Sequence, residues 1–376
     1  SSPDRSQQRS LVQRARTHAS QFMYLAPGRV DHIPSFRIAS GLAVPLALVL
    51  LLGRPEWAMY ASFGAFTGIY SRYESTRMRV KRQSMVAVLL TLCVGIGATV
   101  AHIRPFIPLA VGHWGAMTVS ALVAAGSATF IARHGLKPAG AVFPLFAVAA
   151  VGAAPAFASI GGAVLIAAAS AAWCVLLGFL GHWLGERHSR PGGDALTLRH
   201  TRGQLSREFV LYTGAALVAG AVGLLSGLPY PYWAQIAAIV PVSVIDRGSH
   251  IERGLHRMIG TTLGVIVAAF LLSFPSEAWQ LAVWAVVLQF LAEMYVMRNY
   301  SLGLMFITPL ALLMIQLAHP VPVEQMLQAR VLETVIGVVC GFIVIFTAAA
   351  TQPWRRRAYI RRRAAKAAQR GTRMAA

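Results

Sequence analysis

The sequence predicts an all-α polytopic membrane protein of about twelve transmembrane helices, arranged as two parallel six-helix repeats with pseudo-two-fold symmetry. Composition, a series of apolar segments and a motif that occurs twice predict this fold class. Of the 376 residues, 56% are hydrophobic and only 12% are charged, and the mean hydropathy is +0.58. A soluble domain of this size does not have such a composition, so we predict a chain buried in lipid.

Apolar segments of helical length recur along the whole chain. Six are predicted before the middle of the sequence, near 37–53, 57–70, 84–103, 107–132, 138–155 and 157–184. Six more are predicted after it, near 208–227, 230–245, 258–274, 277–297, 299–317 and 328–350. Segments of fewer than about 18 residues are short for a simple span, so we expect some of them to be tilted, kinked or re-entrant.

The distribution of positive charge predicts the topology. Twelve spans that begin in the cytoplasm place 31 of the 34 lysines and arginines on the cytoplasmic side, and only Arg54, Arg104 and Arg330 fall outside. This asymmetry follows the positive-inside rule, and it predicts a plasma (cytoplasmic) membrane protein with both termini in the cytoplasm. The net charge of +21 therefore indicates contact with anionic lipid headgroups rather than with nucleic acid.

A motif that occurs twice predicts an internal duplication. Pro55, Trp57 and Ala61 reappear 176 positions later as Pro231, Trp233 and Ala237, and at the same offset Arg77 matches Arg253. Each copy leads from an aromatic apolar stretch through a basic loop into a long apolar helix. Because each half has an even number of spans, the repeats are expected to be parallel, related by an axis along the membrane normal. The alternative is chance identity between alanine-rich segments.

The same patterns divide the chain into five regions. A stretch rich in proline, glycine and charge separates the two halves. We predict a cytoplasmic, amphipathic N-terminal segment at 1–35 and a first six-helix repeat at 36–185. A cytoplasmic linker is predicted at 186–204, a second six-helix repeat at 205–352 and a basic cytoplasmic tail at 353–376.

Four cations in the duplicated loops are the candidate anion-binding residues. Arg77 and Lys81, and then Arg253 and Arg257, are spaced four apart, which places each pair on one face of a helix. Around a pseudo-dyad, the four would form a cation ring at the inner mouth of a central path, and such a ring selects anions. The alternative is that they are ordinary positive-inside residues that reach toward headgroups.

Ionisable side chains within apolar segments are candidates either for proton coupling or for structural ion pairs. Asp246 and Glu293 each have an arginine nearby in sequence, Arg247 and Arg298, and His113 lies inside a span beside Trp114. A third carboxylate, Glu333, follows Arg330 by three residues on the last span, and the spacing predicts a local ion pair.

The sequence contains no pattern typical of an enzyme. A phosphate-binding glycine loop, a histidine and cysteine metal set and a nucleophile elbow are all missing from it. We therefore predict no catalytic residues, no metal and no cofactor. The three cysteines fall in apolar spans and are interpreted as packing residues.

The second half resembles the fusaric acid resistance (FUSC-like) superfamily, which includes aromatic acid exporters and is similar to the aluminium-activated malate transporters of plants. The segments that carry the resemblance are 232–238, 257–264, 299–303 and 308–310. Their motif residues, interpreted as helix-packing positions, are Gly260, Thr261, Gly264, Asn299, Tyr300, Thr308 and Pro309. The first half matches more weakly, and the linker is short where many members have a large cytoplasmic domain.

This resemblance implies export of small organic anions, often aromatic carboxylates, from the cytoplasm. We expect Trp57, Tyr60 and Trp233 to stack on an aromatic substrate or to line its path. Two alternatives stay open at this point. One is a passive organic-anion channel, and the other is a non-transporting membrane scaffold for envelope assembly, in which apolar side chains plug the central path.

Overall fold

The described part of the protein is entirely helical. A computed structural model describes residues 31–183, 186, 201–243 and 247–374, and within the last range it describes the side chains of 250–350. These residues form twelve α-helices and three short 3₁₀ helices and contain no strand. Most of the predicted N-terminal segment and of the linker, Asp246 and the side chains of the basic tail lie outside the described residues.

Six α-helices precede the linker and are called the first half. They are α1 (His32–Leu51), α2 (Ala58–Ala65), α3 (Thr76–Ile103), α4 (Leu109–His134), α5 (Val142–Ala153) and α6 (Ile160–Leu180). Six follow the linker and are called the second half. They are α7 (Arg202–Leu225), α8 (Pro231–Val242), α9 (Arg247–Leu272), α10 (Ala278–Tyr295), α11 (Tyr300–Ala318) and α12 (Val323–Met374).

Within the described residues, nine of these helices are long and apolar enough to cross a membrane. The prediction of an all-α, multi-pass membrane protein is confirmed. The other three predicted spans form the short helices α2, α5 and α8. A helix of 12 residues, such as α8, is about 18 Å long, well short of the roughly 30 Å hydrocarbon core.

Proline and a strained turn explain why α2 and α8 are short. Pro55 and Pro231 each begin a helical segment, where the missing N–H is tolerated. The α2 segment continues into the 3₁₀ helix Phe66–Ile69, and the chain then reverses at Ser71, which has the left-handed φ of 58°. The Ser71 N–H donates a hydrogen bond to the Lys137 carbonyl, 2.9 Å away, which fixes this turn against the α4–α5 loop.

The helices of the two halves pack against neighbours in the same order. In the first half, α3 contacts α5 and α6, and α2 contacts α1 and α6. In the second half, α9 contacts α11 and α12, and α8 contacts α7 and α12. The halves meet along α4 with α7 and along α10 with α1, and in the middle α5 contacts α8 and α2 contacts α11. The short helices are thus at the centre of the molecule.

Close backbone contact occurs at equivalent places in the two halves. Gly64 of α2 lies against the backbone of Ala167 in α6, and Gly337 of α12 lies against the backbone of Ala234 in α8. A methyl group at either glycine would overlap the facing carbonyl oxygen. Small residues at such contacts let helices approach closely where lipid provides no hydrophobic driving force.

Candidate functional site

A cavity lies between the two halves, bounded by the three short helices together with α9, α11 and α12. Its empty volume, including its open mouth, is about 680 Å³. The lining side chains are mostly apolar. They come from Met59, Ser62, Phe63, Phe66, Val142, Phe143, Phe146, Ala150, Ile236, Arg257, Ile307, Leu310, Ala311, Met314, Ile315 and Arg330.

The first half contributes an aromatic wall, defined here as Phe63, Phe66, Phe143 and Phe146. The ring of Phe63 meets Phe66 at 5.7 Å and Phe146 at 5.1 Å, both edge to face. Phe66 and Phe143 are 5.2 Å apart at a tilt of 57°. These distances and angles are the ones that aromatic pairs prefer, so the wall presents ordered ring faces and edges to the cavity.

The second half contributes the cations. Arg257 on α9 and Arg330 on α12 both line the cavity, and each is only 3% exposed. Among the described residues, Nε of Arg257 and both Nε and Nη1 of Arg330 have no hydrogen-bond partner. A buried N–H group without a hydrogen-bond partner is costly, so these nitrogens have unused capacity to donate to an acceptor.

Arg330 is held in place by an aromatic cluster at the start of α8. Its guanidinium carbon lies 4.9 Å from the ring centroid of Trp233, a cation–π distance. Trp233 is fully buried and stacks at 4.6 Å on Tyr230. The backbone N–H of Tyr230 donates a hydrogen bond to Oε1 of Glu333, 2.9 Å away. The cluster therefore connects α8 to the turn of α12 that carries Arg330.

The four cations of the predicted ring have different surroundings. Arg257 is buried in the cavity, whereas Arg77 and Lys81 on α3 are exposed. Arg253 is half-buried, and its guanidinium carbon lies 3.6 Å from the ring centroid of Tyr300. The structure therefore places one of the four in the cavity lining, together with Arg330, which the ring did not include.

The predicted aromatic residues lie near the cavity without lining it. Trp57 is half-buried, and its Nε1–H donates to the Phe157 carbonyl at 3.3 Å. Tyr60 is 2% exposed on α2, and Trp233 supports Arg330. The aromatic wall itself was not singled out in the sequence. Its signal there is the three-residue spacing of Phe63 with Phe66 and of Phe143 with Phe146, which is equally typical of an ordinary core.

Glu293, one of the ionisable candidates, pairs with a residue other than the arginine nearest to it in sequence. Glu293 forms a 3.0 Å ion pair with Arg72, and Arg298 instead approaches Asp31 at 3.5 Å. Of the two alternatives, the structure places Glu293 in an ion pair, with Arg72 rather than with the nearby Arg298. His113 is exposed on α4, and Asp246 lies outside the described residues.

Two further features concern charge and metal binding. Glu186, six positions after the end of α6, pairs with Arg37 at 3.0 Å and with Arg79 at 2.9 Å, and all three side chains are buried. This cluster could not be predicted from the sequence, because its members are far apart along the chain. In the part of the chain that the structure describes, no group of three histidine, cysteine or acidic residues is placed to hold a metal ion.

The motif residues of the resemblance surround the packing contact of α9 with α11. Gly260 and Gly264 on α9 face Ser301 and Thr308 on α11. Thr261 and Thr308 are fully buried. Asn299 begins α11, since its side-chain oxygen accepts the backbone N–H of Leu302 at 3.2 Å. Tyr300 contacts Arg253 on α9. Pro309 is next in sequence to Leu310, which lines the cavity together with Arg257.

Comparison with known proteins identifies relatives of part of the chain. This chain is 32% identical over 146 residues to the p-hydroxybenzoic acid efflux pump subunit AaeB of Edwardsiella ictaluri, and the match covers 35% of this chain and 22% of that protein. It is 29% identical over 126 residues to the uncharacterized membrane protein YvaC of Bacillus subtilis, covering 33% and 20%. An uncharacterized protein of Synechocystis is 30% identical over 139 residues, covering 37% and 18%.

The matched region is thus about a fifth of the length of each of these relatives. No solved structure matches the chain. The family described as fusaric acid resistance protein-like matches residues 217–344, which include every cavity-lining residue of the second half. The resemblance noted in the sequence is confirmed: the second half of this chain contains a fusaric acid resistance protein-like region.

Proposed function

We propose that this protein is a membrane transporter that exports small organic anions, in particular aromatic carboxylates, through the cavity between its halves. The observation that carries the proposal is an apolar cavity lined by two buried arginines, Arg257 and Arg330, each with N–H groups that have no hydrogen-bond partner among the described residues. An anion bound there would supply the missing acceptors. Hydrogen bonds from guanidinium to carboxylate are among the stronger ones in proteins.

The aromatic wall supports an aromatic substrate. A carboxylate at the arginines would place its ring among Phe63, Phe66 and Phe146, where edge-to-face contacts add to the burial of apolar area. AaeB, a relative of part of the chain, is named as a subunit of a p-hydroxybenzoic acid efflux pump. The two halves then have different roles, since the first contacts the ring and the second contacts the charge.

The two halves are proposed to be parallel repeats. The equal order of helix contacts in the two halves supports this. The contacts between the halves support it as well, because α4 contacts the first helix of the second half, α7, and α10 contacts the first helix of the first half, α1. With both termini in the cytoplasm, as the positive-inside rule predicts, the membrane potential favours outward movement of an anion. This contribution is about 2.3 kcal/mol per charge per 100 mV.

The remaining predicted cations are proposed to act before the anion reaches the cavity. Arg77 and Lys81 are exposed and Arg253 is half-buried, so their field extends into solvent. Clustered charges of one sign raise the local concentration of the opposite ion and speed its arrival. Trp57, Tyr60 and Trp233 are proposed to support the walls of the path.

Binding of 4-hydroxybenzoate to the purified protein tests the proposal. Arg257→Gln and Arg330→Gln should each weaken binding about 30-fold or more, because each removes a charged partner from a buried carboxylate. Arg133→Gln, an exposed cation in the last turn of α4, is the matched control and should bind like the wild type. Unchanged affinity in both cavity variants, with folding intact, would contradict the proposal.

A further inference from the structure

Glu333 and Arg330 lie one turn apart on α12, and each is held by a different group. Glu333 is fully buried; its Oε1 accepts the Tyr230 N–H, and its Oε2 has no hydrogen-bond partner among the described residues. Arg330 stacks on Trp233. Side chains three residues apart on a helix are within reach of each other. The predicted ion pair between the two is nevertheless not formed at 4.0 Å or less in the described part of the chain.

A buried carboxylate, Glu333, therefore lies one helix turn from Arg330 of the cavity lining. Two buried guanidinium groups attract an anion strongly, because charges in a protein interior are weakly screened. A transport site must bind its ion well enough to admit it, and weakly enough to release it. An internal carboxylate that competes for Arg330 would weaken the net binding, and it would also pair with the arginine after the anion leaves.

Both positions open to Glu333 offer a hydrogen-bond donor to its carboxyl group. At its observed position, Oε1 lies at the N-terminus of α8, where the N–H groups of the first turn favour negative charge. At the alternative position it would meet the guanidinium of Arg330. The observed position leaves Nε and Nη1 of Arg330 without a hydrogen-bond partner among the described residues.

We propose that Glu333 is a positioning residue for release, which acts through Arg330. In the observed conformation Glu333 binds the Tyr230 N–H and leaves Arg330 free for an anion; for release, Glu333 turns to Arg330 and displaces the anion. This inference rests on the proposed function, because it requires an anion at Arg330. It adds a residue that lowers the affinity for the anion in order to raise the rate of its release.

Replacement by glutamine separates this role from a structural one. Glu333→Gln keeps a carbonyl oxygen for the Tyr230 N–H but removes the charge that competes for Arg330. The dissociation constant for 4-hydroxybenzoate should fall about tenfold, within the range of typical coupling between sites. Turnover in proteoliposomes should fall at the same time, since release becomes slower. A residue with only a structural role would weaken binding and turnover together.

The control is a carboxylate on the same helix but away from the cavity. Glu324 is exposed in the first turn of α12 and accepts a hydrogen bond from Gln328 at 3.1 Å. Glu324→Gln should leave both binding and turnover at wild-type values. In an Arg330→Gln background, Glu333→Gln should lose its effect on affinity.

The possible outcomes distinguish the two proposals. If the wild type binds no organic anion, the proposed function fails and this inference fails with it. If binding depends on Arg330 but Glu333→Gln binds equally or more weakly, only the role of Glu333 is overturned. If that variant does not fold, Glu333→Asp replaces it: the shorter carboxylate reaches less far toward Arg330, so binding should tighten by a smaller factor. Unchanged or weaker binding of the aspartate variant would also overturn the inference.

Discussion

Arg72, in the turn between α2 and α3, forms a buried ion pair with Glu293 near the end of α10. The closest oxygen and nitrogen are 3.0 Å apart, and Arg72 also donates to the Glu293 backbone carbonyl at 2.7 Å. The other terminal nitrogen of Arg72 reaches Ser35 on α1 at 2.9 Å. Because 221 positions separate the two residues along the chain, this pair joins the first half to the second beside the contact of α1 with α10.

Removal of one partner of this pair should strongly destabilise the protein. Arg72→Met leaves the Glu293 carboxylate buried without its cation, and we expect a loss of about 3–5 kcal/mol in the free energy of unfolding. The double variant Arg72→Met with Glu293→Leu should recover much of this loss. The measurement is denaturant unfolding in detergent.

The matched control is the exposed pair of Arg54 with Glu56, in which the arginine side chain is 56% exposed. Arg54→Met should change the free energy of unfolding by at most about 1 kcal/mol. Equal small effects of Arg72→Met and Arg54→Met would show that the inter-half pair does not hold the halves together.

Helix contact at Gly337 should be intolerant of even one methyl group. Gly337→Ala places that methyl group against the Ala234 carbonyl, so we expect destabilisation of about 1–3 kcal/mol. Gly126, in the middle of α4, has open space around the same position, and Gly126→Ala should stabilise the protein by up to about 1 kcal/mol. Thermal unfolding of both variants in detergent measures the difference. A Gly337→Ala variant as stable as the wild type would contradict the close packing of α8 with α12.

The aromatic wall should set the preference for aromatic over aliphatic anions. Phe146→Leu removes an edge-to-face contact with Phe63 and a ring that faces the cavity. Affinity for benzoate should fall relative to affinity for cyclohexanecarboxylate by up to about tenfold. Phe106→Leu, at a side chain that is 88% exposed, is the control and should leave the ratio unchanged. Competition binding with both anions gives the ratio, and an unaltered ratio in Phe146→Leu would remove the wall from the account of selectivity.

Exposed cations on α3 should affect the rate of anion arrival rather than binding itself. Arg77→Ala with Lys81→Ala should lower the initial rate of export at low anion concentration by up to about tenfold in low salt, with little change in affinity. Raising the ionic strength should reduce this difference, because salt screens exposed charges. Export by this double variant at the wild-type rate across salt concentrations would mean that Arg77 and Lys81 only obey the positive-inside rule.

Hydropathy and proline placement were sufficient to predict that a helix lies at each long apolar segment, but not all the bounds, since α9 begins at Arg247 and α12 continues to Met374. Arg257 could be singled out because the duplicated motif repeats its spacing. The role of Arg330 could not be predicted, because Glu333 follows it by three residues and that spacing predicts an ion pair between the two. In the folded chain the Tyr230 N–H donates to Glu333 instead. The ion pair of Arg72 with Glu293 could not be predicted either, because nothing local in the sequence indicates a contact over 221 positions.

The central claim is that an aromatic carboxylate binds in the cavity with its charge at the arginines. The most direct test is a structure of the protein with 4-bromobenzoate, in which anomalous scattering locates the bromine. We expect a carboxylate oxygen within hydrogen-bond distance of Arg330 or Arg257, and the bromine among the rings of Phe63, Phe66 and Phe146. A bromine found only at the lipid-facing or loop surface, with the cavity arginines free of the ligand, would contradict the claim.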